Sequence, residues 1–222
     1  MRSALTRHAR FVTRTSDVWL AVGVMALGIY FFSGYFSTVR FDRERIEVRV
    51  GRGEIQVQGL YHYTNASRLP AVLTLKVPFP ADRDHPAPEA FSLYESDEEG
   101  RARVEILPVV RGADIRFRLT FRPREAKWIR VDYTQRTGVP NGRYLLTTTR
   151  AWRRPIERAE FVLRLPRDFE LAFSNYPVGS SSEVGPWKAY FFSKTDFYPN
   201  RDWEFAWDKP RSRAAIQGGD RP

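Results

Sequence analysis

The sequence predicts an all-β domain preceded by one N-terminal transmembrane α-helix. The domain, residues 40–209, is expected to be an antiparallel two-sheet β-sandwich of the immunoglobulin-like (Ig-like) type. Two observations predict this: an uncharged run precedes residue 40, and apolar and polar residues alternate with a period of two after it. About twelve strand candidates follow at intervals of about 8 to 14 residues, without a convincing amphipathic helix between them, which is typical of a sandwich.

Residues 18–39 form the predicted transmembrane helix. They are 22 residues without a charge, bounded by Asp17 and Arg40. As a helix they would be about 33 Å long, which matches the roughly 30 Å thickness of a hydrocarbon core. A cleaved leader would have a shorter apolar region and small residues at its cleavage site, whereas aromatic residues such as Tyr30 and Tyr35 stand there. We therefore expect an uncleaved signal anchor.

Charge predicts the orientation of this anchor only weakly, because arginines flank it on both sides. They are Arg2, Arg7, Arg10 and Arg14 before it, and Arg40, Arg43, Arg45, Arg49 and Arg52 after it. A short arginine-rich head before a first helix usually stays in the cytoplasm, and long domains cross largely regardless of charge. We expect residues 1–17 in the cytoplasm and residues 40–209 in the periplasm, held at the inner (cytoplasmic) membrane. Residues 210–222 lack periodicity, which predicts a mobile tail.

One side of the predicted helix consists mostly of small residues. At about 100° per residue, this side is formed by Gly23, Ala26, Tyr30, Ser33 and Gly34. Small residues let a second helix approach closely in lipid, where packing drives association. We expect this side to contact neighbouring membrane helices; the alternative is that glycine is simply commoner in membrane helices.

The strands are expected in chain order from residue 46. Ile46, Val48 and Val50 alternate with charged residues, and Gly51-Arg52-Gly53 predicts a hairpin turn before the next strand at 55–63. In IRFRLTFR, residues 115–122, apolar residues occupy one face and arginines the other. The remaining strand candidates are 71–77, 91–96, 102–109, 128–135, 143–150, 159–165, 169–173, 187–193 and 202–207. The proline-rich segment 78–89 and the segment 180–183 are expected to be loops.

The composition offers little for catalysis. Cysteine is absent, which excludes disulfides, a thiol nucleophile, thiolate metal sites and c-type haem attachment. A Ser-His-Asp arrangement would need His62 or His85, which stand in unpromising settings on a strand and in the proline loop. Asp82, Asp84 and His85 lack calcium or zinc spacing, as does the segment 95–100, which is better interpreted as a charged hairpin turn. We expect a non-enzyme without cofactor or metal.

Partner binding is the activity that the remaining residues favour. The net charge of +10 favours acidic partners. The candidate contact residues are Arg116, Arg118, Arg122, Arg153, Arg154, Trp203 and Trp207. Two alternatives stay open: a solvated surface on which carboxylates such as Asp132 and Glu160 balance the arginines, and a terminal strand whose tryptophans pack into the core. No basic helix or RNA-binding signature accompanies the charge, so no nucleic acid partner is expected.

These observations predict a non-catalytic, single-pass accessory or scaffolding subunit of a larger membrane complex, with respiratory or photosynthetic complexes as the favoured kind. Its partners would be the other membrane proteins of the complex, the lipid bilayer and anionic headgroups. The alternative is an envelope binding module that presents an aromatic face to polysaccharide or peptidoglycan.

Overall fold

A computed structural model of the protein describes residues 38–88, 90–111 and 114–208. The chain divides into two compact units, Met1–Thr38 and Val39–Pro222. The described residues lie almost wholly in the second unit, which is all-β apart from one short 3-10 helix.

The predicted anchor lies outside the described residues except for its last two positions. Val39 opens the first strand, so the β domain begins one residue before the predicted boundary at residue 40. Within the described ranges, no helix is long and apolar enough to cross a membrane. Also outside these ranges lie the segments 1–17 and 210–222 and the helix-packing candidates Gly23, Ala26, Tyr30, Ser33 and Gly34.

Fourteen strands and one 3-10 helix, η1, make up the described part of the domain. The strands are β1 Val39–Val50, β2 Glu54–Asn65, β3 Ala71–Val77, β4 Ala90–Ser96, β5 Ala102–Glu105, β6 Val109–Arg111, β7 Asp114–Phe121, β8 Ala126–Arg136, β9 Asn141–Tyr144, β10 Ile156–Pro166, β11 Glu170–Ser174, β12 Ser180–Val184, β13 Trp187–Phe197 and β14 Trp203–Asp208; η1 is Thr147–Trp152.

The strands form one large sheet and two small ones. The large sheet has eight strands in the order β12-β13-β10-β1-β2-β8-β4-β5, and the three-stranded sheets have the orders β11-β14-β9 and β3-β7-β6. Among the described strand pairs, β1 and β10 run parallel and the others antiparallel. Buried residues of all three sheets belong to one hydrophobic cluster, so both small sheets pack against the large one in a sandwich-like arrangement.

Alternation along β1 determines which of its residues are buried. Ile46, Val48 and Val50 are each 0% exposed, because successive side chains of a strand point to opposite faces. The hairpin to β2 turns at residues 51–53, where Gly53 has a φ of 91° that L-residues rarely adopt. Val48 then lies opposite Val57 of β2, which is also buried.

An aromatic cluster joins the large sheet to the β11-β14-β9 sheet. Phe161 of β10 stacks on Phe192 of β13 with 4.4 Å between the ring centroids. Trp203 of β14 packs edge-on against both rings, at 5.6 Å and 5.0 Å. Such aromatic pairs contribute about 0.5–1.5 kcal/mol each beyond the area they bury. Phe205 and Trp207 continue this buried row along β14.

The proline-rich segment 78–88 is a loop, and a buried side chain fastens it to β8. Gln135 Nε2 donates hydrogen bonds to the carbonyl oxygens of Pro80, at 2.5 Å, and Pro86, at 3.1 Å. Since prolines have no N–H to donate to a neighbouring strand, this side chain replaces the strand pairing that the segment cannot form.

The structure confirms the all-β class with several sheets and much of the predicted alternation. Residues 51–53 form the expected hairpin turn, and Asp97–Gly100 turns between β4 and β5 as the charged hairpin expected there. In β7, Phe117, Leu119 and Phe121 are buried while the intervening residues are exposed.

The predicted sheet arrangement was wrong in its details. There are three sheets instead of two in the described domain, and the pair formed by β1 and β10 is parallel. An immunoglobulin-like domain divides about seven to nine antiparallel strands between two sheets. Alternation reports which face of a strand is buried but not which strand lies beside it, so this difference was not accessible from the pattern.

Three strand assignments also need correction. The segment 143–150 becomes a strand followed by η1, because Asp202 Oδ1 accepts hydrogen bonds from the N–H groups of Leu146, at 3.1 Å, and Thr147, at 3.0 Å. The segment 102–109 divides into β5 and β6 of different sheets, with Pro108 between them. The expected serine loop at 180–183 is β12, an edge strand paired with β13.

Gly142→Ala is expected to destabilise the domain by about 1–3 kcal/mol through overpacking. A Cβ at Gly142 would lie 2.6 Å from Phe205 Cζ and 2.7 Å from Ile55 Cδ1, both in the core. Gly138→Ala is the matched control, because its Cβ would meet its nearest neighbour at 3.9 Å. Urea unfolding of the detergent-solubilised protein, followed by circular dichroism, measures the difference. Equal unfolding midpoints for the two variants would contradict the packing described for β9 and β14.

Candidate functional site

The outer face of the β3-β7-β6 sheet carries the first candidate site. Arg116 and Arg118 of β7 are exposed there, on the face that points away from the core. In the neighbouring β3, Lys76 lies directly opposite Arg116, and Thr74 lies opposite Arg118. Three cationic side chains, those of Lys76, Arg116 and Arg118, therefore share this face. Arg122 follows the end of β7 and is also exposed. We call Lys76, Arg116, Arg118 and Arg122 the basic face.

An exposed apolar edge adjoins the basic face. Val109 of β6 lies opposite Arg116 and is 58% exposed. Three further apolar residues of the same chain segment are exposed to a similar or greater degree: Val104 at 59%, Leu107 at 81% and Val110 at 57%. We call these four residues the apolar edge. β5 and β6 are edge strands of their sheets, so backbone groups at this place are also open to a partner.

The arginines on the outer face of the large sheet have carboxylate partners. Arg164 binds Glu47 through Nε at 2.8 Å and Nη2 at 3.3 Å. Arg130 Nε lies 2.7 Å from Asp132 Oδ2, and Arg158 is similarly paired with a glutamate of its own strand. The alternative of a balanced, solvated surface therefore describes the large sheet.

Arg153 and Arg154 lie apart from the basic face, in the segment after η1. Both are exposed, and Arg153 ends the helix with a φ of 55°. Its backbone N–H donates to the carbonyl oxygen of Arg150 at 2.9 Å. The structure thus divides the five predicted contact arginines between two places.

Trp203 and Trp207 do not belong to a partner-binding surface, which corrects their assignment. They are 1% and 2% exposed, and they form part of the aromatic cluster of the core. The alternative interpretation, a terminal strand that packs its tryptophans inward, is the one that the structure supports. Large rings are buried whenever a facing sheet can cover them, and sequence alternation cannot distinguish a covered face from an open one.

The two described histidines have structural contacts. His62 Nδ1 lies 2.5 Å from Asp42 Oδ1, and the same carboxylate accepts a hydrogen bond from Thr64 Oγ1 at 2.8 Å. His85 is buried between Asp82 Oδ1, 3.0 Å from Nδ1, and the carbonyl oxygen of Asn141. In the part of the chain that the structure describes, no three His, Asp or Glu side chains are grouped as a metal site would require.

A shallow depression of about 370 Å³ lies on the outer face of the large sheet. Its lining is mostly polar and includes Gln56, Gln58, Arg130 and Asp132. The charges in it are largely paired with one another, since Gln58 Nε2 also donates to Asp132 Oδ1 at 3.2 Å. The depression can accept a polar ligand through these amides and charges.

Glu44 is a buried carboxyl that the sequence analysis missed. It is 3% exposed in β1, directly opposite Tyr61 of β2. Its Oε1 atom has no hydrogen-bond partner among the described residues. Burial raises the pKa of Glu44 to about 8. The signal was present in the sequence, because position 44 has the same parity as the buried positions 46, 48 and 50.

Tyrosines surround this carboxyl. The hydroxyl groups of Tyr61 and Tyr144 are 2.5 Å apart and share a hydrogen bond. Burial raises the pKa of Tyr61 and of Tyr63, and the neighbouring Glu44 raises both further. A carboxyl without solvent access among neutral phenols has no route to a substrate, so we interpret this cluster as part of the core and not as a catalytic site.

The fold places the protein in the class of all-β, sandwich-like domains with several sheets. No protein-family model matches the chain, and the comparison with curated proteins also finds no match. Among solved structures, it resembles a provisionally assigned nutrient binding protein from Legionella pneumophila, with a TM-score of 0.61, 14% identity, and coverage of 77% of this chain and 67% of that one.

An M1 zinc metallopeptidase from Deinococcus radiodurans also aligns with the chain. The TM-score is 0.44 at 14% identity, over 76% of this chain. The chain spans only 42% of the length of that peptidase. At these identities the likeness to the Legionella protein shows the fold alone, and function must come from the surfaces described above.

Glu44→Gln is expected to remove a pH dependence of stability. The pKa of Glu44 is raised from 4.5 in the unfolded chain to about 8 in the folded one, so the folded state retains a proton that the unfolded state has released. Stability contributed by this group is therefore greatest below about pH 4.5, declines up to about pH 8, and is constant above that. Glutamine keeps the shape without the charge, so the variant is expected to be the more stable protein at about pH 8.

Urea unfolding midpoints between about pH 5 and about pH 8 measure this effect. Glu105→Gln is the control, because Glu105 is exposed on β5. If the unfolding midpoints of wild type and Glu44→Gln changed with pH in parallel, the pKa of Glu44 would not be raised in the folded protein.

Proposed function

We propose that the protein is a non-catalytic accessory or scaffolding subunit of a larger membrane complex, held at the inner membrane by the predicted transmembrane segment that begins at residue 18 and precedes β1. In this proposal the β domain lies in the periplasm and binds a protein partner through the apolar edge and the basic face. The observation that carries the proposal is the group of four exposed apolar residues within the segment 104–110, of which Val109 lies opposite Arg116 of the basic face.

The exposure of the apolar edge supports a protein partner. Single exposed apolar residues are normal on soluble domains, whereas contiguous apolar patches mark interaction sites. Leu107 is 81% exposed, and Val109 and Val110 follow it closely in the chain. Burying an exposed leucine or valine side chain completely would contribute about 1.5–3 kcal/mol, so covering this edge would stabilise a complex substantially.

The basic face supports an acidic partner. Complementary charge raises the association rate and discriminates against wrong partners more than it raises affinity. The positions of Arg116 and Arg118 on one strand, with Lys76 across from them, give a partner a row of cations next to the apolar edge. An acidic surface with an apolar centre is therefore the kind of partner that this site fits.

The membrane anchor is supported by the sequence. The 22 residues from Val18 to Val39 contain no charge, and small residues share one side of the predicted helix. A helix with such a side packs closely against other helices in lipid, which suits a subunit held among other membrane proteins.

The second candidate is an envelope binding module for polysaccharide or peptidoglycan. The row of aromatic residues that first suggested it is buried, so its remaining support is the polar depression on the large sheet. Amide and charged side chains such as Gln56 and Gln58 are suitable for binding sugar hydroxyl groups.

Val109→Asp combined with Arg118→Glu is expected to detach the protein from its complex. The first change places a charge in the apolar edge, and the second reverses a charge of the basic face. Wild-type full-length protein, extracted in mild detergent, is expected to migrate in native electrophoresis with a larger assembly. The fraction of the double variant that migrates with the assembly is expected to fall at least about tenfold. Two changes that each weaken binding by about 1 kcal/mol or more are sufficient for such a decrease.

The matched control for this double variant is Val184→Asp combined with Arg83→Glu. Val184 is 58% exposed, as Val109 is, and Arg83 is exposed in the proline-rich loop. Release by both double variants, or by neither, would contradict the proposed surface. Wild-type migration near 25.9 kDa together with sugar-dependent retention on a column would favour the binding module instead.

Replacing Gly23, Ala26 and Gly34 with leucine is expected to weaken the same assembly while leaving the protein in the membrane fraction. Leucine keeps the segment apolar but prevents close approach of a neighbouring helix. The control replaces Val24, Met25 and Ile29 with leucine, which changes bulky positions of the same segment. Equal co-migration of the two triple variants would mean that the small side does not contribute to assembly.

A further inference from the structure

The two ends of the β domain differ in charge. We call the end at which β1 begins the proximal end. Val39 pairs there with Asn65, the last residue of β2. The side chain of Asn65 donates hydrogen bonds to the carbonyl oxygens of Leu69, at 2.8 Å, and Arg122, at 2.9 Å. These bonds bring the turn after β2, residues 66–70, next to the turn after β7.

Further contacts complete the proximal end. The backbone N–H of Arg124 donates to the carbonyl oxygen of Ser67 at 3.0 Å, which joins the two turns directly. Trp152, the last residue of η1, packs against Phe41 of β1 and Tyr63 of β2, at 5.8 Å and 5.6 Å between centroids. The segment 153–155 therefore also lies at this end.

Positive charge dominates the three segments of the proximal end that lie nearest Val39. The β4-β5 turn Asp97–Gly100 lies at the same end and carries three acidic residues, which are partly paired with Arg43 and Arg101. Residues 66–70, 122–125 and 153–155 contain five arginines, which are Arg68, Arg122, Arg124, Arg153 and Arg154, and one acidic residue. All five arginines are exposed, as is Arg40 near the start of β1. The acidic residue, Glu125, is engaged locally, because its Oε2 accepts a hydrogen bond from the N–H of Arg122 and its Oε1 lies 3.9 Å from Lys127 Nζ.

One large apolar side chain stands among these arginines. Leu69, in the turn after β2, is 70% exposed. A single exposed leucine near several arginines differs from the basic face, which adjoins the four residues of the apolar edge. It suits insertion at the level of lipid headgroups, where arginines contact phosphates and an apolar side chain reaches the acyl boundary.

The opposite, distal end is balanced. Its segments 51–53, 78–88 and 167–169 contain three arginines and three aspartates. Hydrogen bonds from Thr137 to Gly53 and from Gly138 to Asp84 connect the first two segments to the start of β9. Arg52 Nη2 lies 3.8 Å from Asp168 Oδ2, so part of this charge is paired directly. The positive charge of the proximal end is thus not a property of all the turns of the domain.

We infer that the proximal end binds the anionic lipid headgroups of the membrane to which the protein is anchored; this inference rests on the anchor in the proposed function. β1 begins at Val39 at this end, so in the proposed function the proximal end is the part of the domain that follows the anchor directly in the chain. Each Lys or Arg near an anionic surface strengthens the attraction of the protein to the membrane. Five or six arginines therefore hold this end against the headgroups and restrict the orientation of the β domain.

The test uses the full-length protein in lipid vesicles with a single introduced cysteine. The chain has no native cysteine, so a fluorophore can be placed at one position only. Pro70→Cys reports on the proximal end and Ala81→Cys on the distal end, because both positions are exposed. Vesicles of phosphatidylcholine are compared with vesicles that also contain phosphatidylglycerol, and both carry a headgroup quencher.

The expected result is at least about twofold stronger quenching at position 70 when phosphatidylglycerol is present, with no such change at position 81. High salt is expected to reduce this difference, because it screens charges more than a Debye length apart. Replacing Arg68, Arg122 and Arg154 with glutamine is expected to abolish it. Unchanged circular dichroism would show that the triple variant is folded. If the triple variant is not folded, Arg68→Gln alone is used, and it is expected to lose part of the difference in quenching.

Other outcomes distinguish a failure of headgroup binding from a failure of the predicted anchor. Equal quenching in both kinds of vesicle would overturn the inference while the anchor stands, if the protein still floats with the vesicles. If the arginine variants then lost a protein partner instead, the proximal end would bind an acidic protein. Flotation with anionic vesicles only, reversed by salt, would support lipid binding by the proximal end and overturn the anchor.

Discussion

The parallel pairing of β1 with β10 is the contact on which the rest of the large sheet depends. Seven positions pair, from Arg43 with Arg158 to Arg49 with Arg164. On its other side β1 pairs with β2, so it joins the ribbon β12-β13-β10 to the ribbon β2-β8-β4-β5. Because more than a hundred residues separate β1 from β10, this pairing closes a long loop of chain, which makes it costly in entropy and slow to form.

This pairing also determines where charge is neutralised. On the outer face it sets Arg164 beside Glu47 and Arg45 beside Glu160, with Nε–Oε distances of 2.8 Å and 2.9 Å. The outer face of the large sheet therefore pairs many of its charges across β1 and β10. In the β3-β7-β6 sheet, by contrast, Lys76 lies directly opposite Arg116. Within the described domain, cations are thus grouped on the basic face and at the proximal end.

Much of the strand pattern was predictable from the sequence because burial has a period of two along each strand. The alternation in 115–122 identified both the buried residues and the exposed arginines of β7 correctly. Pairing between strands was not predictable, because backbone hydrogen bonds are the same for every sequence. The tryptophans of β14 illustrate this limit, since the same alternation describes a covered and an open face. Glu44 was missed for the opposite reason: its parity placed it in the core, but its charge suggested the surface.

The basic face and the proximal end are connected, and their positions on the domain make their proposed roles compatible. β7 runs toward the proximal end, so its exposed arginines lead from Arg116 through Arg118 to Arg122, which belongs to both regions. A lipid surface can cover the proximal end while the side of the domain, with the apolar edge, stays open to a protein. Headgroup contacts alone would leave the domain free to turn about the membrane normal, and partner contacts alone would leave its tilt unrestricted. Together they restrict both motions, which a scaffolding subunit requires if it is to present one fixed surface to its complex.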